Sequence, residues 1–414
     1  MTNTLGDWAV DLFRGMRPVA AAALALASFA LPAGAGEFKG NGVIGADLRF
    51  FPENPEWPGQ DNRHFYPSIF AELDLSYSWD DRRHAFNAVP FARFDLFDNR
   101  RTHVDLREAH YRYRGGNWEF LIGAHRVFWG VTESRHLVNV INQVDAVEDV
   151  DGDDYLGQPM ANLAFQGDWG RLDFYAMTFF RKRTFNSNDS RLRGPLPVKQ
   201  RNVDYEAKWG RWNIDVAARY QNSFGPVDFG VSAFHGTNRE PRLRAFFGAG
   251  GPFLKPYYET MTQTGADVAW AVGDLVLKGE AIYRFNQGSP FFATVFGGEY
   301  TIKNAVNADV DLGLIAEFNY DGRNRRNPQT IFDRDAFAGV RLTFNDVSDS
   351  RVLMGALVDV RNGSTYLYFE ASRRVFDNWR IELEGRHFAA RSNRDALRAV
   401  DADSFAQLRL LRYF

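Results

Sequence analysis

The chain has 414 residues, with 49 Lys and Arg against 52 Asp and Glu, a net charge of −3 and no cysteine. Near-neutral charge offers little to a nucleic-acid backbone, and missing thiols exclude disulfides and thiolate metal sites. Aromatics reach 15%, with 37 Phe, yet mean hydropathy is negative. That combination suits strands with one apolar and one wet face.

The N-terminus reads as a signal peptide over residues 1–35. Arg14 and Arg17 supply positive charge, Pro18–Leu31 is apolar, and Ala33-Gly34-Ala35 is a small-residue cleavage site. Met16 is an alternative start. An uncleaved anchor is the other reading, but the run is short for a membrane span. Residues 36–414 form the second region. No later stretch is long and apolar enough for a transmembrane helix.

From Gly36 onward, runs of roughly ten residues alternate apolar with polar or small, which is the period of a strand. Strands are expected at 41–51, 66–79, 84–97, 103–113, 118–129, 160–168, 171–181, 212–221, 226–236, 261–272, 275–286, 292–302, 308–320, 334–345, 351–361, 364–374, 379–389 and 402–414. In Leu275–Phe285, Leu275, Leu277, Ala281, Tyr283 and Phe285 oppose Lys278, Glu280 and Arg284. Val203, Tyr205, Ala207 and Trp209 offer one further strand or an outer loop, and the turn at 222–226 is weak. The count is therefore roughly sixteen to eighteen.

Connections alternate short and long. Short ones include 80–83, 114–117, 168–171, 273–274, 347–350 and 377–378. Long ones include 52–65, 130–158, 181–211, 236–258 and 321–332. Trp79, Trp118, Trp169, Trp270 and Trp379 gather at the short-turn side, where an interfacial girdle would sit. A soluble sandwich also alternates. The loop rhythm and the girdle instead predict an all-β, transmembrane antiparallel barrel with an inward-folded loop.

That loop is the break after Trp129-Gly130. Its length marks it as functional or disordered. Leu137, Val140, Ile141 and Val144 fall at helical spacing, with Thr132 or Ser134 as a cap, so one or two helical turns docked on the inner wall are expected. Asp145, Glu148, Asp149, Asp151, Asp153 and Asp154 follow. They are the candidate constriction, with Asp149, Asp151, Asp153 and Asp154 set against basic wall residues such as Arg93, Lys278 and Arg284. A solvated outer loop is the plain alternative. The Asp149–Asp154 spacing also resembles half of a calcium loop, but Met160 stands where the closing Glu would be. No cofactor and no resident metal are expected.

Alternation points Arg93, Asp95, Arg219, Lys278, Glu280, Arg284, Glu317, Arg341 and Arg386 into the interior. Charge there calls for a wet lumen or a mutually paired network, and charge lining a pore selects ions. Eight scattered histidines with no G-x-S-x-G or H-E-x-x-H motif give no support to an enzyme.

Leu106-Arg107-Glu108-Ala109-His110-Tyr111 and Ile122-Gly123-Ala124-His125-Arg126-Val127-Phe128-Trp129-Gly130 resemble the L-R-E-A-Y and G-R-Q-x-x-x-W-G strands of porin-like Gram-negative outer-membrane barrels. Phe234–Pro241 and Leu277–Glu280 resemble motifs of the same group. Alginate-export and phosphate-selective porins are broadly similar in kind. Ala124 and His125 stand where that pattern has Arg and Gln. The end of the chain, Ala406–Phe414, resembles the strand read by the outer-membrane barrel-assembly machinery, with Arg412 in place of the usual aromatic. The resemblance implies a passive channel in the outer membrane, with membrane lipid, assembly machinery and small solutes as partners and oligomerisation open. A non-conducting barrel that binds polysaccharide through Phe246, Phe247, Phe253, Tyr257 and Tyr258 is the rival. A transporter of apolar solutes is the third reading.

Overall fold

The structure, a computed structural model, describes residues 36–306 and 309–414. The expected signal peptide lies outside them. Eighteen strands form one sheet. They are β1 (Glu37–Phe50), β2 (Phe65–Trp79), β3 (His84–Asp95), β4 (His103–Gly115), β5 (Trp118–His125), β6 (Gln158–Gly167), β7 (Gly170–Met177), β8 (Asp215–Phe224), β9 (Val227–Thr237), β10 (Thr260–Val272), β11 (Leu275–Phe285), β12 (Phe291–Val306), β13 (Val310–Asp321), β14 (Arg334–Phe344), β15 (Arg351–Asp359), β16 (Thr365–Phe376), β17 (Trp379–Ala389) and β18 (Phe405–Tyr413). Each pairs antiparallel with its neighbours in sequence. β18 then pairs with β1, from Val43↔Tyr413 to Phe50↔Ala406. The sheet closes and has no free edge.

The strand count is eighteen. The weak turn at 222–226 is a tight hairpin in which Phe224 faces Val227. Gly225 sits there at φ +57°, where a residue without Cβ is favoured. The 201–209 run stays out of the wall. It contributes only Asp204–Tyr205, beside the outer hairpin of Arg242–Gly248 and Gly251–Tyr258. β5 and β7 also stop earlier than expected, at His125 and Met177.

Alternation sorts the two faces in the membrane sense. On β11, Leu277 is 39% and Tyr283 47% exposed, whereas Glu280 is 2% and Arg284 6%. A soluble barrel would have these reversed. The five tryptophans at the short-turn ends are exposed or half-buried. Phe414 lies at that rim, where it and Gly42 exchange backbone hydrogen bonds of 2.9 and 3.0 Å. No helix among the described residues is long and apolar enough to cross a membrane.

One irregularity matters for the site. Pro90 lacks the N–H that the ladder needs. Val89 faces Glu108 and Pro90 faces Leu106, so Arg107 is an extra residue on β4. Such a bulge turns neighbouring side chains to one side. Arg107 and Glu108 both reach interior partners: Arg107 bonds Glu72, and Glu108 lies beside His125.

The seam is held by charge as well as by the ladder. The fully buried Asp47 carboxylate on β1 takes Arg93 of β3, Arg101 at 3.3 Å and Arg409 of β18 at 2.9 Å. Asp47→Ala removes the carboxylate that three guanidinium groups share and leaves each with its second partner, Glu148 for Arg93, Asp95 for Arg101, and Glu382 with Glu384 for Arg409. Breaking a buried pair costs about 3–5 kcal/mol, so the urea midpoint of the folded barrel, followed by tryptophan fluorescence, should drop clearly. An unchanged midpoint would remove Asp47 from the seam.

Candidate functional site

Residues 126–157 leave β5 and turn into the barrel. Leu137, Val138, Val140 and Ile141 are at most 5% exposed and pack on Met177, Phe234, Met261, Ile282 and Val295 of the wall. Burying four aliphatic side chains contributes roughly 6–12 kcal/mol before ordering costs. The docking surface is the expected one, but the helical turns are absent. The segment holds turns and a short pairing of Gln143–Val144 with Tyr155–Leu156.

The reason lies in where the backbone donors go. Glu280 of β11 accepts from Val131 N at 2.8 Å, Thr132 N at 3.2 Å, Thr132 Oγ1 at 2.7 Å and Val138 N at 3.1 Å. Glu317 of β13 accepts from Glu133 N and Ser134 N, each at 2.8 Å, and from Ser134 Oγ at 2.6 Å. Amides served by wall carboxylates have no need of helix carbonyls. Gly130, at φ +139°, makes the close approach: a Cβ there would stand 2.9 Å from Glu280 Oε1. Sequence reading placed Glu280 and Glu317 on the wall but gave them no such role.

The acids divide. Asp145 is buried, accepts from Thr184 Oγ1 at 2.7 Å and lies 3.6 Å from His103. Glu148 is gripped by Arg93, with bonds of 2.8–3.0 Å, and lies 3.6 Å from Arg107. Arg49 holds the Glu148 carbonyl at 2.6 Å and Arg101 that of Val147 at 3.2 Å. Asp149 and Asp151 converge on Arg386, at 3.7 and 3.2 Å. Asp153 is exposed, 3.7 Å from His136. Asp154 is half-buried, and its carbonyl accepts from Asp145 N at 2.7 Å.

The expected opposition therefore needs correcting. Arg93 meets Glu148 rather than the later aspartates. Lys278 pairs with Glu299 at 3.4 Å, and Arg284 with Glu240 at 2.8 Å. The chain crosses the lumen obliquely, so its acidic end reaches β1, β3 and β17 instead of β11. Of the carboxylates a calcium ion would need, Asp149 and Asp151 are turned to Arg386 and Asp153 to His136.

The other wall charges are also paired. Arg219 holds Asp267 at 2.7 and 2.9 Å. Asp95 meets Arg101 at 2.8 Å. Arg341 bridges Glu299 at 3.0 Å and Glu133 of the loop at 2.7 Å. Asp47, Arg49 and Arg101 went unnoticed in the sequence, and Arg107 was read only as part of a motif. Alternation through Ala46-Asp47-Leu48-Arg49-Phe50 could have shown the first two.

Burial, with Glu148 nearby, pushes the Asp154 carboxyl up to about 6. Burial acts the same way on Asp149, but Arg386 and Arg49 outweigh it and hold that carboxyl below its ordinary value.

No family model matches the chain, and no curated protein matches it. Solved barrels do. A BenF-like porin from Pseudomonas fluorescens Pf-5 matches with a TM-score of 0.53 at 9% identity, over 91% of this chain and 98% of that one. OccK3 (OpdO) of Pseudomonas aeruginosa matches with a TM-score of 0.50 at 10% identity, over 91% and 95%. OpdK of the same organism, with vanillate, gives 0.50 at 10% identity, over 91% and 98%. The likeness is one of fold, that of a closed porin barrel.

Glu280→Ala removes every wall acceptor from Val131, Thr132 and Val138. Hydrogen bonds to a charged group contribute about 1.5–3 kcal/mol each, so the first half of the loop should detach. Limited proteolysis of the folded barrel should then cut within residues 130–140, while the heat-modified gel shift of the barrel stays as in wild type. Equal protection of both proteins would refute the anchor.

Proposed function

We propose that the chain is a passive channel of the Gram-negative outer membrane for small hydrophilic solutes, sieved by the inward loop and weakly cation-preferring. The observation that carries this is the unequal burial of charge at the loop's lip. Side chains of Asp151, Asp153 and Glu370 are 29%, 57% and 43% exposed, whereas the Arg386 between them is 1% exposed. Carboxylates meet the water and the guanidinium does not, so the field at the lip is negative. The apolar outer face provides the lipid contact. A leader at residues 1–35 and assembly through the last strand belong to the same proposal.

Alginate-export and phosphate-selective porins are broadly similar in kind, and that resemblance names no solute. The acidic lip speaks against phosphate as the favoured solute. A polysaccharide-binding surface barrel has a reduced platform: Tyr258 is 1% exposed and stacks on Tyr205, while Phe246 and Phe247 are exposed and Phe253 and Tyr257 half-buried.

Planar-bilayer recording of the refolded protein under a salt gradient tests the reading. Steady conductance with a cation-preferring reversal potential is expected, and Asp151→Asn with Asp153→Asn should move that potential towards zero. Silence from folded protein would overturn the channel.

A pH titration adds a second check. A carboxyl raised to about 6 is neutral at about pH 5, where an ordinary aspartate stays charged. Cation preference should fall with a midpoint near that value. The sign for docking is the opposite: a raised carboxyl favours the folded loop at acid pH and loses that contribution as pH rises through about 6. Burial also raises the Asp151 and Asp153 carboxyls, so Asp154→Asn should reduce the amplitude of the change near pH 6 and leave the pH dependence carried by those two in place.

A further inference from the structure

We propose that Glu108, His110 and His125 form a binding site for a divalent transition-metal ion, of which Zn2+ is the type, in the lumen wall at the root of the inward loop. Three independent features of the wall converge there. The bulge at Arg107 sets Glu108 and His110 on the interior face of β4. His125 is the last residue of β5. Gly123, paired with His110, adopts φ +132°, and a Cβ there would stand 2.7 Å from the His110 Cα. Only a residue without Cβ lets the two strands bring the imidazoles to a ring separation of 4.5 Å.

The donor spacing is that of a metal site. Glu108 Oε2 lies 3.1 Å from His125 Nδ1 and 3.5 Å from His110 Nδ1. Tetrahedral zinc with bonds of about 2.0–2.1 Å separates its ligand atoms by about 3.3–3.4 Å, which these distances bracket. One ligand atom from each of the three groups can be chosen with all within 4.8 Å of one another. His110 is 4% exposed, and its Nδ1 has no hydrogen-bond partner. An unmatched buried imidazole nitrogen facing a carboxylate is costly unless something binds between them.

The surroundings orient the ligands. Arg126 Nε donates to the other oxygen of Glu108 at 3.3 Å, while Oε2 and His125 Nδ1 share a hydrogen bond of 3.1 Å that a metal between them would replace. Asn142 of the loop donates to the His125 carbonyl at 2.8 Å. Such partners fix ligand geometry. Glu108 and His125 are half-buried, so a fourth position opens towards the lumen. Two imidazoles and one carboxylate suit zinc, copper or nickel better than calcium. His103, Asp145 and Glu148 also cluster. There Glu148 already faces Arg93 and Arg107, so a further cation is repelled.

The test uses the refolded full chain, metal-free in detergent, titrated with CoCl2. Cobalt reports its coordination through visible d–d absorption. One equivalent with a four- or five-coordinate spectrum, displaced by ZnCl2, is expected. His110→Ala and His125→Ala should each weaken binding by more than the roughly 10–100-fold typical of outer-shell changes, and His103→Ala should leave it intact. His125 ends its strand and is half-buried, so that variant stands if His110→Ala fails to give a heat-modifiable barrel. Absence of a cobalt spectrum, its survival in His125→Ala, or its loss in His103→Ala would each overturn the site. None of these readings depends on conductance.

Discussion

A chain segment that leaves the wall of a closed barrel and enters its lumen gives up every ladder partner. The wall itself has no unpaired edge to lend it. Its amides must then be met by helix carbonyls, by water or by side chains. Here two wall carboxylates, Glu280 and Glu317, take five backbone N–H groups of residues 131–138 between them. The path of the loop, its lack of helix and the position of its acidic end all follow from that choice. The apolar stripe of Leu137 to Ile141 adds adhesion but little direction, because dispersion and burial are non-directional.

The second half of the loop obeys a different rule. It carries negative charge into a space walled by protein, where unpaired charge is expensive. Arg49, Arg93, Arg101, Arg107 and Arg386 meet it, and most of that charge is cancelled within pairs. Around Arg386, the side chains that stay open to solvent are Asp151, Asp153 and Glu370 at the lip. On the proposed channel reading, selectivity would follow the charges left in water rather than the composition of the wall.

The architecture was legible because a two-residue period, repeated along most of the chain, is hard to mistake, and because short turns alternate with long loops. The apolar stripe was legible for the same reason, since Leu137, Val140 and Ile141 share a face whether or not the backbone is helical. The helix was the wrong inference: the 3.6 period describes a burial pattern, and wall carboxylates some 150 to 180 residues away supplied a competing set of acceptors. Pairings failed for a related reason. Alternation tells which face a residue takes, but the meeting of Arg93 with Glu148, or of Arg386 with Asp149, depends on where a loop crosses the lumen. Asp47 and Arg49 were readable by alternation alone. Arg101, just before β4, was not.

Pro90 shows how far one backbone detail can reach. By denying the ladder an N–H it inserts Arg107, and the offset divides β4 into two registers. On one side Arg107 stretches to Glu72 and the acidic end of the loop. On the other, Glu108 and His110 turn to the loop's root at His125. Without the bulge, Glu108 and His110 would keep the outward phase of Val104 and Leu106 and face lipid, where a carboxylate is strongly disfavoured. The same residue thus permits both the salt link that holds the acidic segment and the three-ligand cluster beneath it. Both ends of the inward loop are tied to β4, about one bulge apart, so a shift in that strand would move them together.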